Sequence, residues 1–242
     1  MLKESEDAYG RQIYEHHHGR RAFEIVERDD GYFDTSSGPM PYFDAFENWP
    51  PHQRQAMEYA TGRVLDIGCG AGRHSLYLQE KGLEVVGIDN SPLAVETCKL
   101  RGLKNAIVVP IAKINSKLGK FDTILMLGNN FGLFGSFDRA RRLLKRFHGI
   151  TNAGARIIAE SNDPYQTTEP FHLAYHELNR TRGRMSGQLR IRVRFKSYAT
   201  PSFDYLLVSK DEMQQILAET GWTIGRFLDS GGSGYIAIIN RE

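Results

Sequence analysis

The residues with the clearest chemical content lie between Arg63 and Leu78, in R-V-L-D-I-G-C-G-A-G-R-H-S-L-Y-L. Asp66 interrupts a short apolar run there, and Gly68, Gly70 and Gly72 follow at every second position. Glycines so placed let a ligand come very close to the main chain, because side chains would block it. A second acid, Asp89, closes the run Glu84 to Ile88. It falls roughly 20 residues after the glycines, where a carboxylate can accept hydrogen bonds from both hydroxyls of a ribose. Ser91 and Pro92 then supply an N-cap and a first helical residue.

These groups need a particular scaffold. Val64, Leu65 and Ile67 read as a buried parallel strand, and Leu76 and Leu78 resume at helical spacing. The unit is strand, glycine turn, helix. The dinucleotide fingerprint G-x-G-x-x-G would need a glycine at position 73, which is Arg73, and this disfavours a nicotinamide-dependent dehydrogenase. Asp66-x-Gly68-x-Gly70-x-Gly72 instead resembles motif I of the class I S-adenosylmethionine-dependent methyltransferases. Asp89 matches the family's ribose-binding acid.

That resemblance implies S-adenosylmethionine as cofactor, with its methionine part against the glycine backbone. It implies that the residue a few positions beyond Phe121-Asp122, here Leu127, holds the cofactor's amino group through its carbonyl. The family's adenine-contacting Asp is missing; the segment reads Pro110-Ile111-Ala112-Lys113, and main-chain contacts from Ala112 or Lys113 are the substitute. The cofactor-contacting set is therefore Tyr14, Asp66, Gly68, Cys69, Gly70, His74, Asp89, Asn90, Ala112, Lys113 and Leu127. Asn129 and Asn130 follow Leu127 and can point polar side chains at a methyl acceptor. The family's amino-methyltransferases acting on adenine or glutamine carry an (Asn/Asp)-Pro-Pro-aromatic motif at this place. Here the sequence is Gly128-Asn129-Asn130-Phe131, which favours a small-molecule acceptor.

Methyl transfer from a sulfonium is an in-line displacement whose leaving sulfur becomes neutral, so it needs no acid. Alignment, exclusion of water and, where required, removal of the acceptor's proton do the work. Aromatic faces stabilise a sulfonium by roughly 0.5–2 kcal/mol, and Tyr9 and Tyr14 of an N-terminal helix are placed to serve. No catalytic base is assigned. His172, His176 and His74 are the options, and the first two double as acceptor-binding residues.

Composition sets the frame. The chain has 242 residues and a net charge of +2, with 40% apolar and 25% charged residues. One large α/β domain with an elaboration fits that length. The charge gives no global argument for nucleic acid, and no apolar run reaches the ~20 residues that span a membrane. The start, M-L-K-E-S-E-D, has no signal-peptide core, and Cys69 and Cys98 make no disulfide framework; a cytoplasmic protein is expected. His16-His17-His18 cannot all face one ion on a helix, so no metal is expected.

Residues 1–52 read as a helix, a hairpin turning at Asp30-Gly31 and an aromatic-rich connection at 35–52 that packs over the cofactor entrance or simply covers core. Residues 53–242 read as the methyltransferase domain. Strands at 63–67, 84–88, 105–109, 121–127 and 155–159 alternate with helices at 72–81, 91–101 and 136–148. A helix at 211–220 and strands at 222–228 and 235–240 follow. The expected fold is a Rossmann-like, mainly parallel seven-stranded sheet whose last strand is antiparallel. An insert at about 165–208 adds a helix and a small β appendage. Its strand alternates Arg190, Ile191, Arg192, Val193, Arg194, Phe195, Lys196, with one cationic face. That face suggests an anionic acceptor, or RNA held through phosphates; a solvated face charged against edge pairing accounts for it as well. Methylation of a small molecule is the leading reading. RNA methylation and a non-catalytic cofactor-binding protein are the alternatives.

Overall fold

The computed structural model describes residues 2–36 and 38–242, so Ser37 of the aromatic connection lies outside the described residues. Its helices are α1 (Ala8–His17), α2 (Pro51–Ala56), α3 (Arg73–Glu80), α4 (Pro92–Leu100), α5 (Phe137–Phe147), α6 (Pro170–Thr181) and α7 (Lys210–Leu217). Its strands are β1 (Glu24–Arg28), β2 (Phe33–Ser36), β3 (Arg63–Ile67), β4 (Glu84–Asp89), β5 (Ala106–Val108), β6 (Phe121–Met126) and β7 (Thr151–Asn162), then β8 (Gln188–Phe195), β9 (Tyr198–Ala199), β10 (Phe203–Leu206), β11 (Trp222–Asp229) and β12 (Gly234–Arg241). The seven core strands run in the order β11-β12-β7-β6-β3-β4-β5. The pairs β3/β4, β4/β5 and β6/β7 are parallel, whereas β12 is antiparallel to both β7 and β11. This is the Rossmann-like sheet that the alternation of strands and helices predicts.

Two compact units make up the chain. Unit 1 comprises Met1–Trp49, Thr61–Ile114 and Arg190–Phe203; unit 2 comprises Pro50–Ala60, Asn115–Leu189 and Asp204–Glu242. The core of unit 1 is built on Val64, Leu65, Ile67, Val85, Val86 and Ile88, all buried, as continuous apolar parallel strands require. α4 begins where Ser91 Oγ accepts the Ala94 N–H at 2.9 Å with Pro92 in its first turn. Asp7 ties α1 to α4, because its two carboxylate oxygens accept the N–H of Gly10 (3.0 Å) and of Leu93 (3.1 Å). One side chain thereby caps two helices.

In unit 2 the core is built on Ile124, Leu125, Met126, Ile157, Ile158 and Ala159 with the buried run Tyr235 to Ile239. β7 is longer than the apolar run 155–159 suggests. Its first turn carries Asn152 and Gly154 and reads as a loop, but the strand absorbs them as a bulge. Phe121 pairs with Thr151 and Thr123 with Arg156, and Gly154 has φ +72°.

The insert departs from expectation in its pairing. Its strands lie in a small sheet apart from the seven-stranded one, and that sheet takes in the N-terminal hairpin as well: β8 pairs antiparallel with β1, Val26 opposite Val193, in the order β10-β8-β1-β2. Ile191, Val193 and Phe195 face inward, so the alternation is as read, but β8 is an interior strand. Among the described residues no helix is long and apolar enough to cross a membrane.

Candidate active site

In unit 1 the glycine turn is shaped by backbone conformation. Gly68, Gly70 and Gly72 have φ of +74°, +55° and +79°, a region that side chains disfavour. A Cβ on Gly70 would stand 3.2 Å from Tyr9 Oη and one on Gly72 would stand 3.0 Å from Cys98 Sγ. The turn is anchored on both sides. Ser75 Oγ of α3 donates to Asp66 Oδ2 at 2.6 Å, and the Gly70 N–H donates to Asp89 Oδ2 at 3.1 Å. Asp89 Oδ1 accepts the Ser91 N–H at 2.9 Å. The glycine turn and Asp89 are therefore in direct contact.

Burial dominates the electrostatics of both acids. It pushes the Asp66 carboxyl up to about 7, against the hydrogen bond from Ser75 and with added repulsion from Asp89. It pushes Asp89 up to about 6, against N–H donors from Ser91 and Gly70 and with added repulsion from Asp7. A ligand hydroxyl that donates to Asp89 favours the ionised form and relieves part of that cost. The turn and this carboxylate are the groups that would hold a nucleoside, Asp89 at its sugar and the glycine main chain along its tail. When bound, S-adenosylmethionine supplies the electrophilic methyl group.

The N-terminal helix and the aromatic connection cover this turn. Tyr9 and Ile13 of α1 lie over Gly70. Tyr9 meets Tyr42 edge to face at 5.6 Å, and burial raises its pKa well above the ordinary phenol value. Tyr14 is placed differently, its ring tilted against His18 at 4.2 Å. Arg101 Nη1 donates to the carbonyl of Ala71 at 2.5 Å with its guanidinium over Phe43. His74 packs edge-on against Trp49 at 4.8 Å; burial drives its pKa well below normal, and Nε2 is buried without a hydrogen-bond partner. Cys69 lies in the turn with its Sγ 3.7 Å from that of Cys98. Asn90, Ala112 and Lys113 are exposed, the last two in a 3-10 turn (Ile111–Lys113) that follows β5. His16 and His17 pack near Phe43, at 4.8 and 6.4 Å. Among the described residues no group of three or more His, Cys, Asp or Glu gathers as a metal site.

Unit 2 has a polar cluster of its own beyond the carboxyl end of β6. Leu127 is buried, and Gly128 and Asn129 both take left-handed conformations, with φ +69° and +62°. For asparagine this is uncommon and costs energy that its surroundings must supply. The bend is held from two directions. The Gly128 N–H donates to Glu160 Oε2 at 2.6 Å, and Tyr205 Oη donates to the Asn129 carbonyl at 2.6 Å. Gly132 makes room for the Tyr205 ring, since a Cβ there would fall 2.4 Å from it. Glu160 also accepts Gln53 Nε2 at 3.0 and 2.9 Å and meets His52 Nε2 at 3.3 Å, both from α2. Burial works against its charge, but His52, Gln53 and the Gly128 N–H outweigh burial and hold its carboxyl below the usual range. Asn129 Oδ1 is buried with no hydrogen-bond partner.

His172 and His176 are both on α6. His172 Nδ1 meets Thr167 Oγ1 at 3.2 Å, whereas His176 is buried edge-on to Tyr165. Glu160, His52, Gln53 and Tyr205 were not legible as a cluster in the sequence. The one available signal was the acid that ends the apolar run Ala155 to Ala159, a pattern that Asp66 and Asp89 share.

Arg192 and Arg194 of β8, and Lys196 just beyond its end, are paired inside unit 1. Arg192 and Arg194 bridge to Glu27 at 2.8 and 3.3 Å, and Lys196 to Glu15 at 3.5 Å. The phosphate-contacting surface that RNA methylation calls for loses three of its cations to these acids.

A family profile described as "Methyltransferase domain" matches residues 64–154. The chain is 24% identical over 229 residues to a glycine/sarcosine N-methyltransferase of Aphanothece halophytica, covering 85% of this chain and 86% of that one. It is 32% identical over 116 residues to a glycine/sarcosine N-methyltransferase of Parasynechococcus marenigrum, 45% of this chain and 41% of that one. Two other N-methyltransferases of this kind are spanned for 33% and 40% of their length. In structure it is similar to a SAM-dependent methyltransferase from Bacteroides fragilis in complex with S-adenosyl-L-homocysteine. The TM-score is 0.84 at 27% identity, with 100% of this chain and 97% of that one covered. The glycine turn, its paired acid, the sheet order and these likenesses agree with one another, and together they support a class I S-adenosylmethionine-dependent methyltransferase.

Proposed function

We propose that the protein methylates the nitrogen of a small-molecule amine in the cytoplasm. The observation that carries this reading is the buried, unpartnered Asn129 Oδ1 at the polar bend beyond β6. A buried acceptor without a donor costs about 1–3 kcal/mol, and an N–H on the methyl acceptor relieves that cost. Similarity to enzymes named for methylating glycine and sarcosine supports the same chemistry. An anionic group on the acceptor gains no support from Arg192 and Arg194 of β8 or from Lys196 just after it, which already have acidic partners. A cytoplasmic setting fits two thiols that lie in contact as free cysteines.

The chemistry asks little of a base. An amine attacks through its lone pair, so an ammonium must first lose its proton, and the departing sulfur needs none. The test is incubation with S-adenosylmethionine and a panel of small amines, glycine and sarcosine among them, beside phenols, carboxylic acids and RNA. Mass spectrometry should find the added methyl on an amine nitrogen, and Asn129→Leu should raise the acceptor's KM while leaving S-adenosylhomocysteine affinity unchanged. Methylation confined to phenols, carboxylates or RNA would overturn the reading.

A further inference from the structure

Glu160 is a buried carboxylate whose described partners are one imidazole, one side-chain amide and one main-chain N–H, with no lysine or arginine among them. A buried charge in such company needs a reason, because desolvation is costly unless something gains from the charge. The main-chain partner supplies it. The Gly128 N–H belongs to the peptide that joins Leu127 to Gly128. A trans peptide is planar, and its carbonyl points opposite to its N–H; among the described residues there is no cis peptide bond. Fixing the Gly128 N–H on Glu160 Oε2 at 2.6 Å therefore fixes the direction of the Leu127 carbonyl, away from the carboxylate.

The bond is charge-assisted and short, and an N–H held by a carboxylate polarises its peptide, so the carbonyl becomes a stronger acceptor. Gly128 at φ +69° and Asn129 at φ +62° turn the chain immediately afterwards, and Tyr205 holds the far side of the bend at the Asn129 carbonyl. The peptide is thus immobilised at the carboxyl end of a parallel strand, where ligands of open α/β sheets bind. A polarised carbonyl with an anion behind it suits a cationic donor. In the cofactor that group is the α-ammonium of the methionine tail.

We propose that Glu160 is a positioning residue: through the Leu127–Gly128 peptide it aims and polarises the Leu127 carbonyl for the α-ammonium of S-adenosylmethionine. Gln53 and His52 hold the carboxylate for that task. The proposal concerns how the cofactor is held and does not depend on which acceptor is methylated.

Calorimetry on the full chain tests it with two ligands, S-adenosylhomocysteine and its analogue lacking the α-amino group. Glu160→Gln should weaken S-adenosylhomocysteine about tenfold, the weight of one charge-assisted hydrogen bond. It should leave the desamino analogue unchanged, so the preference for the amino-bearing ligand falls by the same factor. Equal weakening of both ligands, or of neither, overturns the proposal, since a merely structural role would not distinguish them. If Glu160→Gln does not fold, Gln53→Ala loosens the carboxylate without removing it and should lower the same preference by a smaller factor; an unchanged preference overturns the proposal. Wild-type protein that binds the desamino analogue as tightly as S-adenosylhomocysteine overturns it while leaving the cofactor assignment intact.

Discussion

Asp89 in unit 1 and Glu160 in unit 2 are both 6% exposed, both stand near the carboxyl end of a core strand, and both accept the N–H of a glycine in a left-handed bend. Their protonation goes opposite ways. Asp89 is pushed up to about 6, with burial first, Asp7 adding repulsion and Asp66 close by with its own raised pKa. Glu160 is held below the usual range because His52, Gln53 and Gly128 together outweigh the same burial penalty. Unit 1 crowds acids and leaves their charge under-compensated, whereas unit 2 surrounds one acid with donors. On the proposed cofactor site, a ligand hydroxyl donating to Asp89 would favour its ionised form, whereas Glu160 is held ionised by donors of the chain itself.

The largest effect expected from this contrast is at the glycine turn. Gly70→Val forces a side chain into a φ of +55° with a Cβ 3.2 Å from Tyr9 Oη. Cofactor binding should fall by at least about 100-fold, because both strain and lost approach act together. Near-wild-type affinity in that variant would show that the tail does not run along the turn. Next comes Glu160→Ala, which removes the acceptor of the Gln53 amide and of the Gly128 N–H. A loss of about 2–4 kcal/mol in denaturant unfolding is expected; an unchanged midpoint would mean that the cluster is not integral to unit 2.

The pH dependence should separate the two regions. Asp66 and Asp89 have folded pKa values of about 7 and about 6 against 3.8 in the unfolded chain. The folded state then binds the extra protons, so their contribution is fully present below pH 3.8 and is lost as pH rises through 6 to 7. Glu160 behaves in the opposite sense. Its contribution is present above the unfolded value of 4.5 and disappears as pH falls through its lower folded value. Thermal melts of the ligand-free protein should therefore decline between about pH 5 and pH 8 by a few degrees, and S-adenosylhomocysteine should offset the decline by donating to ionised Asp89. A melting temperature that climbs steadily across that window would contradict the contrast. The smallest effect is at β8. Glu27→Gln removes the partner of Arg192 and Arg194, both partly exposed, and should leave the denaturant midpoint essentially unchanged; a clear drop would mean that this pair matters to the fold.

Much of unit 1 could be read from residue order alone. Asp66, the three glycines and Asp89 are close in sequence, and their partners Ser75 and Ser91 lie on the helices that follow them, so local spacing carries the geometry. The bend of unit 2 could not be read that way. Glu160 meets Gln53 across 107 positions and Gly128 across 32, and Tyr205 reaches Asn129 across 76. Nothing local in those segments specifies a mutual hydrogen bond. The antiparallel union of β8 with β1 is of the same kind, since an alternating strand states which face is buried but not which strand lies beside it. Tyr9 and Tyr14 share a helix and similar chemistry, yet only the packing of α1 brings Tyr9 over Gly70 and turns Tyr14 to His18.

The most direct measurement is a calorimetric titration of S-adenosylhomocysteine into wild-type protein and into Asp89→Asn at pH 7.5, with a melt of each. The variant should still unfold cooperatively, its amide oxygen keeping one of the two backbone N–H groups that Asp89 accepts, yet bind at least about 30-fold more weakly for want of charge-assisted bonds to the ribose. Equal affinity in the two proteins, or no binding by the wild type, would contradict the account.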